Sequence, residues 1–100
     1  LSLEHAVQRI TSEPARFFGI TDRGILRPGL AADLTIFDLN TISSPERPEI
    51  RHDLPGGGRR LVTQAEGIAY TIVNGQVLYE GHRHTGILPG QVVRAGQPTT

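Results

Sequence analysis

The sequence contains no cysteine, no lysine and no methionine. Without cysteine there is no disulfide framework, no thiolate metal site and no cysteine nucleophile. The redox compartment is therefore not legible from thiol usage, although nothing asks for an oxidising one. Without lysine, all ten basic residues are arginine. That excludes Schiff-base chemistry, amine nucleophiles and a carboxylated-lysine metal ligand within these residues. The formal net charge is zero, so no general attraction to nucleic acid or to an acidic membrane is expected. There is no run of about 18 apolar residues and hence no expected membrane span. No signal peptide precedes the first helical pattern. The chain opens at Leu1 and reads as a piece of a longer protein. Apolar residues make up 37%, which is low for a free-standing domain. A chain of 100 residues buries only roughly 60–70% of its unfolded surface. The expectation is a single domain whose core something else completes.

What is present reads in two parts. Leu3, Ala6, Val7 and Ile10 fall at i, i+3, i+4 and i+7, one face of a helix. Ser2 suits its N-cap, where a hydroxyl accepts from an orphan amide. Thr11 and Ser12 interrupt the pattern. Pro14 opens a second short helix over residues 14–18, and Gly19 is suited to a left-handed cap after it. The helical period is then lost. Arg23-Gly24 reads as a turn, and Pro28-Gly29 fits the centre of a type II turn. Residues 34–37 form a short apolar strand ending at Asp38. Residues 40–55 are polar and carry Pro45, Pro48 and Pro55, which predicts an extended excursion with no core strand. Gly56, Gly57 and Gly58 predict a flexible loop.

The strongest local signal follows. Ile68, Tyr70 and Ile72 alternate with Ala69, Thr71 and Val73, then Asn74-Gly75, then residues 76–80. Two strands around an Asn-Gly pair predict a hairpin with a type I′ turn, both of whose central residues need positive φ. Turn chemistry returns at residues 86–90. Val92 and Val93 are expected to add a final short strand, and residues 97–100 a frayed end. Helices first and strands afterwards indicate an α+β segment.

Candidate chemistry is sparse. Glu80, His82 and His84 would share one face of an extended strand, and two imidazoles with a carboxylate are a legitimate zinc or iron ligand set. Gly81 interrupts that strand, so the competing reading is a solvated strand end. Gly56, Gly57, Gly58, Arg59 and Arg60 could cradle an anion. A phosphate loop, however, needs a helix after it and a lysine within it, and neither is expected here. A loop packed on a neighbouring surface is the plainer reading. His5 beside the apolar stripe reads as a surface or interface residue. His52 and Asp53 could hydrogen-bond, but no nucleophile is near. Ser43 and Ser44 read as loop, and no nucleophile elbow is recognisable. Asp33 and Asp38 flank a strand, where turn and cap roles are commoner than catalysis.

Three motifs, read in order, resemble the amidohydrolase superfamily. Residues 1–20, LSLEHAVQRITSEPARFFGI, are similar to its last barrel helix and the turn of helix beyond. Residues 22–42, DRGILRPGLAADLTIFDLNTI, resemble its return into a β-sandwich, and residues 71–81, TIVNGQVLYEG, the hairpin that follows. Residues 84–94, HTGILPGQVVR, resemble the ending of the N-acyl-D-amino-acid deacylases.

The resemblance implies a parent enzyme with a zinc-dependent (β/α)₈ barrel hydrolysing the amide of N-acyl-D-amino acids. Residues 1–20 would be the helical end of the barrel domain, 21–96 part of the β-sandwich and 97–100 the tail. Metal ligands and catalytic groups would lie upstream of Leu1. His82-Arg83-His84 imitates the family's early His-x-His by spacing only. No catalytic, cofactor-binding or metal-ligating residue is therefore assigned here. The expected partner is the remainder of the parent polypeptide, with no nucleic acid and no membrane, and with self-association of the segment as a further expectation. The expected location is cytoplasmic. Three alternatives stand beside this reading: a related cyclic-amide hydrolase, a free-standing binding module built on the hairpin and the basic glycine loop, and a small metal protein using Glu80, His82 and His84.

Overall fold

A computed structural model describes residues 1–45 and 47–96; the tail expected at 97–100 lies outside the described residues. Helix α1 spans Leu3–Ile10. Ser2 caps it as expected, its Oγ accepting from the His5 amide at 3.1 Å. Helix α2 spans Ser12–Phe17, starting two residues earlier than expected, so Pro14 sits inside its first turn, where no amide partner is lost. The break between them falls at Thr11, whose hydroxyl turns back onto the Val7 carbonyl at 2.7 Å. Gly19 closes α2 in the left-handed region (φ 71°), and the Ile20 amide donates to the Ala15 carbonyl.

The chain then turns through Gly24 (φ 93°), where a Cβ would stand 2.9 Å from the Ala15 Cβ. This close approach seats the turn on α2. Gly29 has φ 89° and the Leu30 amide donates to the Arg27 carbonyl, in line with the turn predicted there.

Among the described residues six strands follow: β1 (Leu34–Phe37), β2 (Glu49–Leu54), β3 (Gly58–Val62), β4 (Ile68–Val73), β5 (Gln76–Glu80) and β6 (Arg83–His84). They form two antiparallel sheets, one ordered β1-β4-β5-β6 and a separate ribbon of β2 and β3. The β4–β5 hairpin is as the alternation predicts, with Asn74 at φ 49° and Gly75 at φ 76°. β1 pairs with β4 in the register Leu34↔Ile72, Thr35↔Thr71, Ile36↔Tyr70, with a bulge before Phe37.

Residues 40–55 are an extended excursion outside the four-stranded sheet, as expected, and within it Glu49–Leu54 pairs with Gly58–Val62. Its prolines lie outside the ladder, at the approach and at the tip, where no strand amide is required. Two expectations need correction. The glycine run is not an open loop, because Pro55–Gly57 makes a tight 3-10 turn and Gly58 begins β3. No strand forms at Val92–Val93. The chain there is held instead as a strap, with Thr85 Oγ1 donating to the Val77 carbonyl and the Gly96 amide to the Gly19 carbonyl.

The ribbon is an arm inserted between β1 and β4. Ser43 and Glu66 exchange backbone hydrogen bonds at its base, at 3.0 and 2.8 Å. Gly67 beside them has φ 83°, and a Cβ there would lie 2.5 Å from the Ile42 nitrogen. Among the described residues Ala15 is the sole buried hydrophobic.

Candidate functional site

The best-connected polar cluster gathers four distant stretches. Arg23 lies between Asp22 (Nε–Oδ1 3.4 Å) and Asp33 (Nη1–Oδ2 2.6 Å). Burial works against the Arg23 charge, but the Asp22 hydrogen bond and the Asp33 charge outweigh it and hold the guanidinium above its ordinary value. The other Asp33 oxygen accepts from the Asn74 amide at 2.8 Å, at the tip of the β4–β5 hairpin. The Gly75 amide donates to the Ala32 carbonyl at 2.9 Å, and the Asn74 side chain donates to the Pro89 carbonyl at 2.7 Å. One carboxylate thus ties the turn after the helices to a hairpin tip 41 residues on, and Asn74 adds the C-terminal strap. Each charged side chain of the cluster is already engaged and none is a nucleophile, so its chemistry is that of a fastening. Asp38 has the turn role expected of it, accepting from the Asn40 amide at 2.9 Å.

The proposed metal trio does not converge. Gly81 (φ 60°) reverses the chain, so Glu80 ends β5 while His84 lies on β6. Glu80 is ion-paired with Arg83. His82 donates from Nε2 to the Ala65 carbonyl at 2.6 Å. His84 accepts the Gly86 amide at Nδ1 (2.8 Å) and stands edge-on to Tyr79. Among the described residues no group of three or more His, Asp or Glu side chains is placed to hold a metal ion. The zinc that the resemblance implies does not fit this donor set, and no step is routed through it.

The arm carries the remaining candidates. Asp53 does not pair with His52. It accepts from two guanidinium nitrogens of Arg60, Nε and Nη2, at 2.6 Å each. The Arg60 hydrogen bond holds the Asp53 carboxyl below the usual carboxylate range. His52 Nδ1 is 3.4 Å from the Gly57 carbonyl, and Arg51 pairs with Glu49 at 3.2 Å. The anion cradle therefore retains one available guanidinium, Arg59, which has no ion pair among the described residues. His5 is exposed on α1, and Ser43 belongs to the bridge at the arm's base.

The surface itself is the other functional feature. The accessible area is 7835 Å², about 2,200 Å² above the roughly 5,600 Å² expected for a folded monomer of this mass. The radius of gyration is 15.7 Å, against about 13 Å for a compact domain of this length. Large apolar side chains lie on this surface: Phe17 is 83% exposed, Leu26 82% and Leu88 83%. On α1, Ile10 is largely exposed and Leu3 and Val7 are part-exposed. Neither sequence periodicity nor composition locates this surface residue by residue, although the low apolar fraction points to an incomplete core.

Comparison with known proteins bears on what covers it. The family model described as amidohydrolase family matches residues 1–79. An N-acyl-D-aspartate deacylase of Alcaligenes xylosoxydans xylosoxydans is 33% identical over 102 residues, covering 96% of this chain and 17% of that protein. An N-acyl-D-glutamate deacylase of the same organism is 34% identical, covering 98% of the chain and 19% of the relative. A dihydroorotase of Lactobacillus gasseri is 32% identical over 83 residues, covering 80% of the chain and 19% of the relative. No solved structure matches. The chain spans less than a fifth of the length of these curated relatives. With the match running from the capped helix through the fastened turn to the hairpin, the chain belongs to the amidohydrolase family.

Proposed function

We propose that this chain is the C-terminal segment of a metal-dependent amidohydrolase that hydrolyses N-acyl-D-amino acids to a carboxylate and a free D-amino acid. Its own role is structural. The observation that carries this reading is the uncovered apolar surface on a chain of this family. Helices α1 and α2, residues 1–20, would close a barrel through Leu3, Val7, Ile10 and Phe17. Residues 21–96 would complete a β-sandwich, with strands from elsewhere in the parent pairing with the free edge of β1. An excess of about 2,200 Å² is the size of an obligate interface, so a covering partner of domain scale is consistent with it. Catalysis and zinc would reside in the rest of the polypeptide, in the cytoplasm. The deacylase relatives align with nearly the whole chain, including residues 80–96, and this favours the acyl-amino-acid substrate. The dihydroorotase relatives favour a second reading, hydrolysis of a cyclic amide.

The test is the intact mass of the native gene product, with hydrolysis assayed on N-acyl-D-aspartate, N-acyl-D-glutamate and dihydroorotate. A longer species that releases free D-amino acid, with no release by the 100-residue chain alone, supports the proposal. Turnover of dihydroorotate only moves the assignment to the cyclic-amide reading. A native product that ends at these residues overturns both.

A further inference from the structure

The β2–β3 arm has no work in the four-stranded sheet, since its ladder pairs only with itself. A two-stranded ribbon is marginal in water by itself. Its two faces differ. Glu49, Arg51 and Arg60 share one face by register, and there the ion pairs Arg51–Glu49 and Arg60–Asp53 satisfy one another. On the other face Ile50 stands directly opposite Leu61, 56% and 69% exposed. Arg59, two residues from Leu61, shares that face and has no ion pair among the described residues. One face is thus complete in solvent, and the other offers an aliphatic pair beside a free cation.

Which occupant fits follows from area. Two aliphatic side chains and their flanks fall far short of the ~800 Å² per partner that a standard specific complex buries. A second copy held by this face alone would not persist. A surface already tethered in the same polypeptide meets the ribbon at high effective concentration and needs no such area. We propose that this face of the arm docks, through Ile50, Leu61 and Arg59, on an aliphatic patch bordered by a carboxylate in the remainder of the parent polypeptide. The inference rests on the reading of the chain as a segment of a longer amidohydrolase.

The absence of native cysteine from the chain makes a thiol probe direct. Leu61→Cys, Ile50→Cys and Glu49→Cys are made singly in the complete polypeptide. Each is labelled with a charged, water-soluble maleimide, natively and in urea, and read by mass spectrometry at the substituted site. Relative to its unfolded rate, labelling is expected to be at least about tenfold slower at positions 61 and 50 than at 49, a difference of about 1.4 kcal/mol in access. Adding Arg59→Glu to Leu61→Cys is expected to restore fast labelling. Equal rates on the two faces overturn the docking. Protection that fades on dilution overturns it in favour of a second copy. Neither result touches the parent reading, which the intact mass decides separately.

Discussion

At the residue scale, a few side chains and one missing side chain carry most of the specification. Gly67 combines a positive φ with a backbone neighbour inside any Cβ's reach. Gly67→Ala in the complete polypeptide should cost roughly 2–4 kcal/mol, from the left-handed backbone and the forced shift of Ile42 together; urea denaturation measures it. Asp33→Ala removes acceptors from both Arg23 and the Asn74 amide, and about 1–3 kcal/mol should be lost for the part-exposed groups stranded there. Asp53 supplies the pH dependence. Its carboxyl titrates lower folded than unfolded. The ion pair's contribution is therefore complete above the unfolded carboxylate value of about 3.9 and lost as pH falls through the depressed folded value. The ¹³Cγ titration of Asp53 should show a midpoint below that ordinary value, and Arg60→Gln should return it upward. Asp33 was legible from sequence as a turn-holding residue ahead of a strand. Its distant partner was not, because nothing local in residues 33–38 encodes the position of Asn74.

Among the elements, legibility followed the strength of local rules. The β4–β5 hairpin was readable because alternation and the Asn-Gly pair agree on the same register. β1 was readable from its apolar run, and α1 from its stripe and Ser2. The arm was not, since Pro45, Pro48, Pro55 and five charged residues between Glu49 and Arg60 outweighed the one signal present: Ile50, His52 and Leu54 alternating before a Pro-Gly-Gly turn. β6 is two residues long, too short for any periodicity. Glu80, His82 and His84 misled because strand spacing was applied across Gly81, where the chain reverses. The arm is also separable. Replacing residues 44–65 with a two-residue turn should leave amide exchange protection at Thr71 and Ile72 within about threefold of the parent, because the Ser43–Glu66 bridge already closes its base. A collapse of that protection would show that the arm buttresses the sheet.

For the whole molecule, the decisive quantity is surface left over after folding. The 100-residue chain, produced alone, should bind a hydrophobic dye and sediment as mixed oligomers at micromolar concentration, because its helices and the free edge of β1 are open. A monodisperse monomer with a sharp unfolding transition would restore the free-standing binding module. No described helix is long and apolar enough to cross a membrane, so a bilayer-spanning helix among them does not account for the uncovered side chains.

The clamp at the arm's base has a kinetic consequence. β1 and β4 must find each other across residues 38–67, a long loop whose closure is costly in chain entropy. In this topology the tip turn and the β2–β3 ladder can close over short spans, and the Ser43–Glu66 bridge sets Phe37 and Ile68 beside each other; refolding is therefore expected to order the arm before the β1–β4 pair, which pulse-labelled amide exchange would check. In that order each closure spans only a few free residues, so a pairing that is remote in sequence is assembled from near ones.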